Sequence, residues 1–567
     1  MVDLTDRVAF ARGERPADLI LKNLKLVNVF TGEIHETDIV IVGEYIAAVG
    51  QGYKAKEVID LGGKYVCPGF IDAHVHIESA MVPPREFPKA VLPHGVTSVV
   101  ADPHEIANVL GLEGIRFMLQ DAKHGPINIY ITAPSCVPST TMETSGAQLE
   151  FYDLANLLGD PWVLGLGEVM NYPGVVAGDG RILQKIQAYS GKVIDGHCPG
   201  LTGKGLNAYV SAGVMSDHEC TNMDEALEKL RLGMTIFIRE ATNAHNLQAL
   251  LGLAVPDLER RLCWCTDDRH PNDLLEEGSI DHIIRLAIAG GVDPVVAIRM
   301  GTLNPSQYYH LHELGAIAPG RRADMVIFSD LHNLRPEMVY RNGRLVARDG
   351  VMLPWERPEK KTKTRGTINV RWSKLDFAIP DPHSPVRVIG MIPDQLITTQ
   401  LHERLPVVDG CLTSSIEDDI VKLAVVERHF GTGRIGLGFV KGLGLKRGAI
   451  ASSVAHDHHN IIVAGVDDES MVTAVQTIVN HQGGMVAVDG STVLEALPLP
   501  IAGLMSDQPI ESVRDNLNRL SAAAHELGTP GDPFMALSFL ALPVIPSLKL
   551  TDLGLVDVDR FEIVGLY

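Results

Sequence analysis

At 567 residues the chain is too long for one hydrophobic core, and two to four domains are expected. Hydrophobic content of 46% and charged content of 21% are ordinary for a globular protein, and a formal net charge of −21 speaks against nucleic acid, whose phosphates need a basic face. No apolar run approaches the ~20 residues of a membrane span, no basic-then-apolar leader opens the chain, and seven scattered cysteines are unlike a disulfide framework, so a cytoplasmic protein is expected.

In residues 1–66, short strands parted by turns, Leu19–Phe30, Asp38–Gly43 and Tyr45–Gly50, predict part of a small antiparallel sheet. From Tyr65 the texture becomes apolar strand, polar junction and helix, repeated. Candidate strands are 65–72, 96–101, 127–132, 162–167, 192–196, 212–217, 234–239 and 261–266, with amphipathic stretches such as Asn222–Leu232 and Ile280–Ala289 between them. Eight repeats across residues 67–310 predict an α/β fold, a closed (β/α)8 barrel with its functional groups at the C-terminal strand ends. Residues 311–356 turn sheet-like again, with Asn342-Gly343 as a hairpin signal, and are expected to complete the small sheet around the inserted barrel. The polar stretch 357–366 reads as a linker, and residues 367–567 as a further α/β or α+β domain.

The chemistry gathers at the expected strand ends. Pro68-Gly-Phe-Ile-Asp-Ala-His-Val-His76 closes an apolar run on two histidines one residue apart. Residues i and i+2 of a strand point the same way, so His74 and His76 aim two imidazoles at one point, which suits a transition metal. Strand two ends in Asp102, His104 and Glu105, strand four in Glu168, strand five in His197, and strand six in His218 and Glu219. Strand seven ends in Arg239 and Glu240, and strand eight in Asp267 and Asp268. Four histidines and two carboxylates exceed the needs of a lone Zn2+, which three protein ligands and water satisfy; the surplus favours a binuclear site with Glu168 placed to bridge. The donors suit Mn2+, Fe2+ or Zn2+. Cys263-x-Cys265, inside an apolar run, reads as core packing.

Together with Gly315–Asp324, these segments resemble the amidohydrolase superfamily. Within it the chain resembles the bacterial adenine deaminases, through His74–Ser79, Ala101–Gly111, Gly167–Asn171, Asp195–Gly200, Ser216–Glu219, Gly442–Ala451 and Ala455–Asn460. The resemblance implies a metal-dependent barrel, a small β-sandwich made from residues 1–66 and 311–356, and a family-specific C-terminal domain. It implies binuclear Mn2+ or Fe2+ on His74, His76, Glu168, His197, His218 and Asp267, and conversion of adenine and water to hypoxanthine and ammonia in purine catabolism or salvage. A homo-oligomer is expected. Glu168 stands where many binuclear relatives carry a carboxylated lysine, and His197-Cys-Pro-Gly200 lacks the Glu of mononuclear deaminases.

In the implied mechanism a metal lowers the pKa of water, and Asp267 takes its proton and hands it to the departing amine. The proton donor to the ring nitrogen is open among Glu105, Glu219 and Glu240. Asp102 and His104 are candidate metal or purine contacts, and Glu78 and Ser79 candidate orienters of the histidines. Arg239 holds either a ring nitrogen or a neighbouring carboxylate; His456, Asp457 and His459 form either a lid over the barrel mouth or a surface loop. One other reaction fits the same donors, hydrolysis of a cyclic amide or imide.

Overall fold

A computed structural model describes residues 3–356, 364–393 and 395–567. Most of the expected linker, residues 357–363, lies outside them. Eight parallel strands make the central layer: β1 (Phe70–Val75), β2 (Val96–Ala101), β3 (Asn128–Ala133), β4 (Val163–Val169), β5 (Val193–Gly196), β6 (Ser216–Asp217), β7 (Thr235–Arg239) and β8 (Leu262–Cys265). Their Val- and Ile-rich runs are buried almost throughout, as strands covered on both faces must be. Helices between and after them, Met223–Arg231 following β6 and Ile280–Ala289 following β8, supply one apolar face each.

The strands pair as two ladders, β5-β4-β3-β2-β1 and β6-β7-β8. Backbone bonds curl the ladders toward each other at both seams. Met215 N–H donates to Ile194 O at 2.9 Å, and Asp267 N–H donates to His74 O at 3.0 Å. At the second seam the buried Asp72 carboxylate also accepts from Thr266 N and Oγ1, at 3.1 and 2.5 Å.

The expected strand 65–72 is two strands in two sheets. Tyr65–Pro68 pairs with Met325–Phe328, whereas Phe70–Val75 joins the central layer. Gly69 makes the crossing possible: the Thr97 side chain fills the place of a Cβ, and the Gly69 N–H is drawn to Asp324 O at 2.9 Å. The expected strand 212–217 shortens to Ser216–Asp217.

Tyr65–Pro68 belongs to a nine-stranded sheet that mixes strands from Ala17–Asp60 with strands from Met325–Met352. Its hairpin at Asn342-Gly343 has positive φ at both residues, as a two-residue turn of this hand requires. Toward the C-terminus an eight-stranded sheet packs against the helix Asp468–Asn480. The same region returns to the central layer: Ser506 N–H donates to Met81 O, and Thr551 Oγ1 donates to Met142 O in the loop after β3. Among the described residues no helix is long and apolar enough to cross a membrane.

Candidate metal centre

His74 and His76, at the end of β1, bring their Nε2 atoms 3.1 Å apart. His76 Nδ1 lies 3.0 Å from the Asp102 carbonyl, which can only accept, so Nδ1 carries a proton and Nε2 is the ring nitrogen turned toward the other donors. Asp267 Oδ1 lies 3.2 Å from His76 Nε2 and 3.6 Å from His74 Nε2; Glu168 Oε1 lies 3.3 and 3.7 Å from the same atoms. Two imidazoles and two carboxylate oxygens thus converge on one point.

A second group meets the other oxygen of Glu168. Oε2 lies 2.7 Å from His197 Nδ1 and 3.2 Å from His218 Nε2, and those nitrogens are 3.3 Å apart. The backbone that carries this carboxylate is pinned on both sides. Glu168 N–H donates to Asp102 Oδ2 at 2.9 Å, and Ser135 Oγ donates to Glu168 O at 2.6 Å. All of these side chains are buried.

Burial opposes charge here, yet the contacts reverse it. Hydrogen bonds to Asp267 and Glu168 hold the His76 imidazole well above its usual value, and the neighbouring His218 and His197 hold Glu168 well below the carboxylate range. The cavity wall includes six carboxylates (Glu105, Glu168, Glu219, Asp267, Asp268 and Asp457) against one permanent cation, Arg239. A divalent cation would neutralise that excess, and imidazole with carboxylate is a donor set made for one. The residues present fit a divalent metal.

Arg239 takes the carboxylate-ordering alternative. Its guanidinium forks onto both oxygens of Glu219, reaches Asp267 Oδ2 at 2.8 Å and donates from Nε to Asn246 Oδ1 at 2.8 Å. Asp102 lies beneath Glu168, while His104 faces the cavity with Nδ1 3.3 Å from Glu168 Oε1. Glu240 turns away from the donors: its oxygens engage His245 Nδ1 at 2.7 Å and Leu247 N–H at 3.2 Å. Glu78 accepts from Ile106 N–H at 3.2 Å, and Ser79 Oγ donates to Asp268, a cavity carboxylate to which sequence gave no role.

His456, Asp457 and His459 are only 4%, 3% and 0% exposed, so they are not a surface loop. His456 Nδ1 lies 2.7 Å from Glu105 Oε1, and His459 Nε2 contacts Glu105 Oε2. Three such groups can hold a metal on distance alone. Here the Ala455 N–H donates to His459 Nδ1, so the His459 proton sits on Nε2, which has no lone pair to give. Within the trio His456 and Glu105 form a hydrogen-bonded pair, and His459 packs against the second carboxylate oxygen. Arg428 Nε to His459 O and His429 Nε2 to His458 O hold the loop from behind.

Most of the remaining wall is apolar, with Leu396, Met535, Phe539, Leu542, Val544 and Ile545 together on one side. Phe539 stacks on His456 with ring centres 4.4 Å apart and planes 21° apart. The empty space, counted with its open mouth, is about 570 Å3. Sequence reasoning missed this wall because apolar side chains carry no chemical signature.

Two family models match the chain: the amidohydrolase family over residues 65–346, and the adenine deaminase C-terminal domain over residues 395–562. The chain is 50% identical to an adenine deaminase of Desulfatibacillum aliphaticivorans over 563 residues, 99% of each chain. It is 48% identical to adenine deaminase 2 of Carboxydothermus hydrogenoformans over all of this chain and 99% of that one. An adenine deaminase of Methanothrix thermoacetophila is also 48% identical, with the same coverage. Likeness of this depth over the whole length, on top of the buried donor groups, settles the lineage: the chain belongs to the adenine deaminase family.

Proposed function

We propose that the protein replaces the exocyclic amine of adenine by oxygen, giving hypoxanthine and ammonia, with two divalent cations, Mn2+ or Fe2+, as cofactors. The observation that carries this reading is Glu168, which offers one oxygen to each of two imidazole pairs at the floor of a partly apolar cavity. Full-length likeness to proteins named adenine deaminase supports the choice of base.

His74, His76 and Asp267 would hold one cation and His197 and His218 the other, with Glu168 offering an oxygen to each group. Such cations make water acidic enough to ionise near neutral pH. Asp267 Oδ1 faces the imidazoles and takes the proton from water, then returns it to the departing amine; Arg239 fixes the other oxygen so that Oδ1 stays aimed. The ring nitrogen receives its proton from the Glu105–His456 pair, whose members both face the cavity. Glu219 is forked by Arg239 and serves as its anchor, and Glu240 plays no part in substrate contact. His104 and Asp457 contact the polar edge of the base, while the wall around Phe539 takes its flat face and keeps bulk water out.

The same reading closes the eight central strands into a barrel over residues 67–310, flanked by a sandwich from 1–66 and 311–356 and capped by 367–567; the seam hydrogen bonds support closure. It places the protein in the cytoplasm, in keeping with seven unpaired cysteines.

The test is ammonia release from a panel of amino-nucleobases, beside ring opening of hydantoins and other cyclic amides, by Mn2+-loaded and chelator-stripped protein. Metal-dependent ammonia from adenine is the expected result. Turnover of a cyclic amide with none of adenine sinks the proposal.

A further inference from the structure

The proposed ligands stand on two scaffolds joined by Glu168. On one, Asp72 ties β1 to β8 by accepting from His74 N–H at 3.4 Å and from Thr266 N and Oγ1. On the other, Asp217 and Lys229, both fully buried, tie the ends of β5 and β6. Lys229 projects from the helix Met223–Arg231 and donates to Cys198 O at 2.8 Å, Asp217 Oδ2 at 3.0 Å and Glu225 Oε1 at 2.7 Å. Three acceptors use all three ammonium hydrogens. Asp217 Oδ1 accepts from Cys198 N–H at 2.8 Å, and Oδ2 accepts from Glu219 N–H at 3.2 Å. The ion pair therefore grips the carbonyl and the amide of the residue that follows His197, and both chain neighbours of His218.

We infer that Lys229 is a positioning residue for the cation of His197 and His218, setting its affinity without touching it and leaving the His74–His76–Asp267 cation to the Asp72 scaffold. The inference rests on the ligand reading above. Removing the ammonium takes the buried counter-charge from the Asp217 carboxylate and the donor from the Cys198 carbonyl, so both lose the contact that fixes their position. That loss loosens Cys198 and Glu219, and with them the aim of the two imidazoles beside them. Groups that orient metal ligands from behind change affinity by about 10–100-fold when removed.

The full-length protein is stripped of metal and titrated with Mn2+ against a competing chelator, and bound metal is counted by elemental analysis. In Lys229→Met one equivalent binds as in the unaltered protein and the other binds about 10–100-fold more weakly. Glu225→Gln, which keeps the ion pair but weakens one of its bonds, shows a smaller loss in the same equivalent and decides the matter if Lys229→Met does not fold. Thr266→Val, on the opposite scaffold, weakens the other equivalent. Equal loss in both equivalents, or a lowered unfolding temperature with both affinities intact, overturns the inference and leaves the ion pair a fold-stabilising contact. Fewer than two equivalents in the unaltered protein overturns the ligand reading instead.

Discussion

Glu105 and His456 are 351 residues apart in the chain and 2.7 Å apart in the fold. One follows β2; the other precedes the strand Ile461–Gly465 of the C-terminal sheet, so the cavity is complete only when both regions are in place. Glu105→Gln keeps the shape of the side chain but removes the charge that holds the His456 proton. The expected outcome is a kcat lower by roughly 100-fold, the size of a lost acid–base group, with both metal equivalents retained. Elemental analysis beside steady-state kinetics checks it; wild-type kcat in that variant removes the pair from proton transfer.

The same contact makes the fold sensitive to pH. Burial disfavours a charged His456, but the Glu105 carboxylate outweighs it and raises the imidazole to about 9 from its usual 6.5. The folded chain thus binds this proton more tightly than the unfolded chain, so protonation stabilises the fold. That contribution is whole below about pH 6.5 and is lost as pH rises through about 9. Thermal unfolding of metal-stripped protein against His456→Gln should show a gap that is widest at pH 6 and closes toward pH 10. A gap constant with pH refutes the assignment.

Strand-end donors were legible because strand geometry is short-range: a two-residue period and an apolar run fix where His74 and His76 point before any tertiary contact is known. The choice between Arg239 roles was not legible, since it depends on Glu219 arriving 20 residues away with both oxygens facing the guanidinium. Glu240 misled for the converse reason; its neighbour Arg239 faces the cavity, and the chain then turns its carboxylate to His245. Lys229 falls within the amphipathic stretch Asn222–Leu232 without a signal of its own, and only burial reveals that it lies inward. The split at Gly69 was hidden because one apolar run serves two sheets, and the apolar wall because position alone gives it meaning.

Glu168 and Asp267 separate metal binding from proton transfer. Glu168 gives an oxygen to each donor group, so Glu168→Ala is expected to bind fewer than two equivalents of metal. Asp267→Asn preserves an oxygen toward the imidazoles but cannot take a proton, so metal content holds while the rate falls by about 100- to 10,000-fold. Two retained metals in Glu168→Ala, or full activity in Asp267→Asn, contradicts the corresponding role.

Phe539 tests what the C-terminal region contributes besides His456. Its ring is 8% exposed, stacks on His456 and faces the cavity with Met535, Leu542, Val544 and Ile545. Stacking an aromatic surface is worth about 0.5–1.5 kcal/mol beyond the area it covers, so Phe539→Ala is expected to raise KM for adenine by roughly 10-fold. The metal donors lie outside this wall, so metal content stays at the wild-type value. His456 loses a stacking partner but keeps Glu105, so kcat falls far less than in Glu105→Gln. Phe539→Leu separates the contributions: it restores apolar bulk without a flat face, and a KM that stays high there assigns the effect to ring stacking. A KM restored by leucine assigns it to bulk and water exclusion. An unchanged KM in Phe539→Ala means that the base lies elsewhere in the cavity.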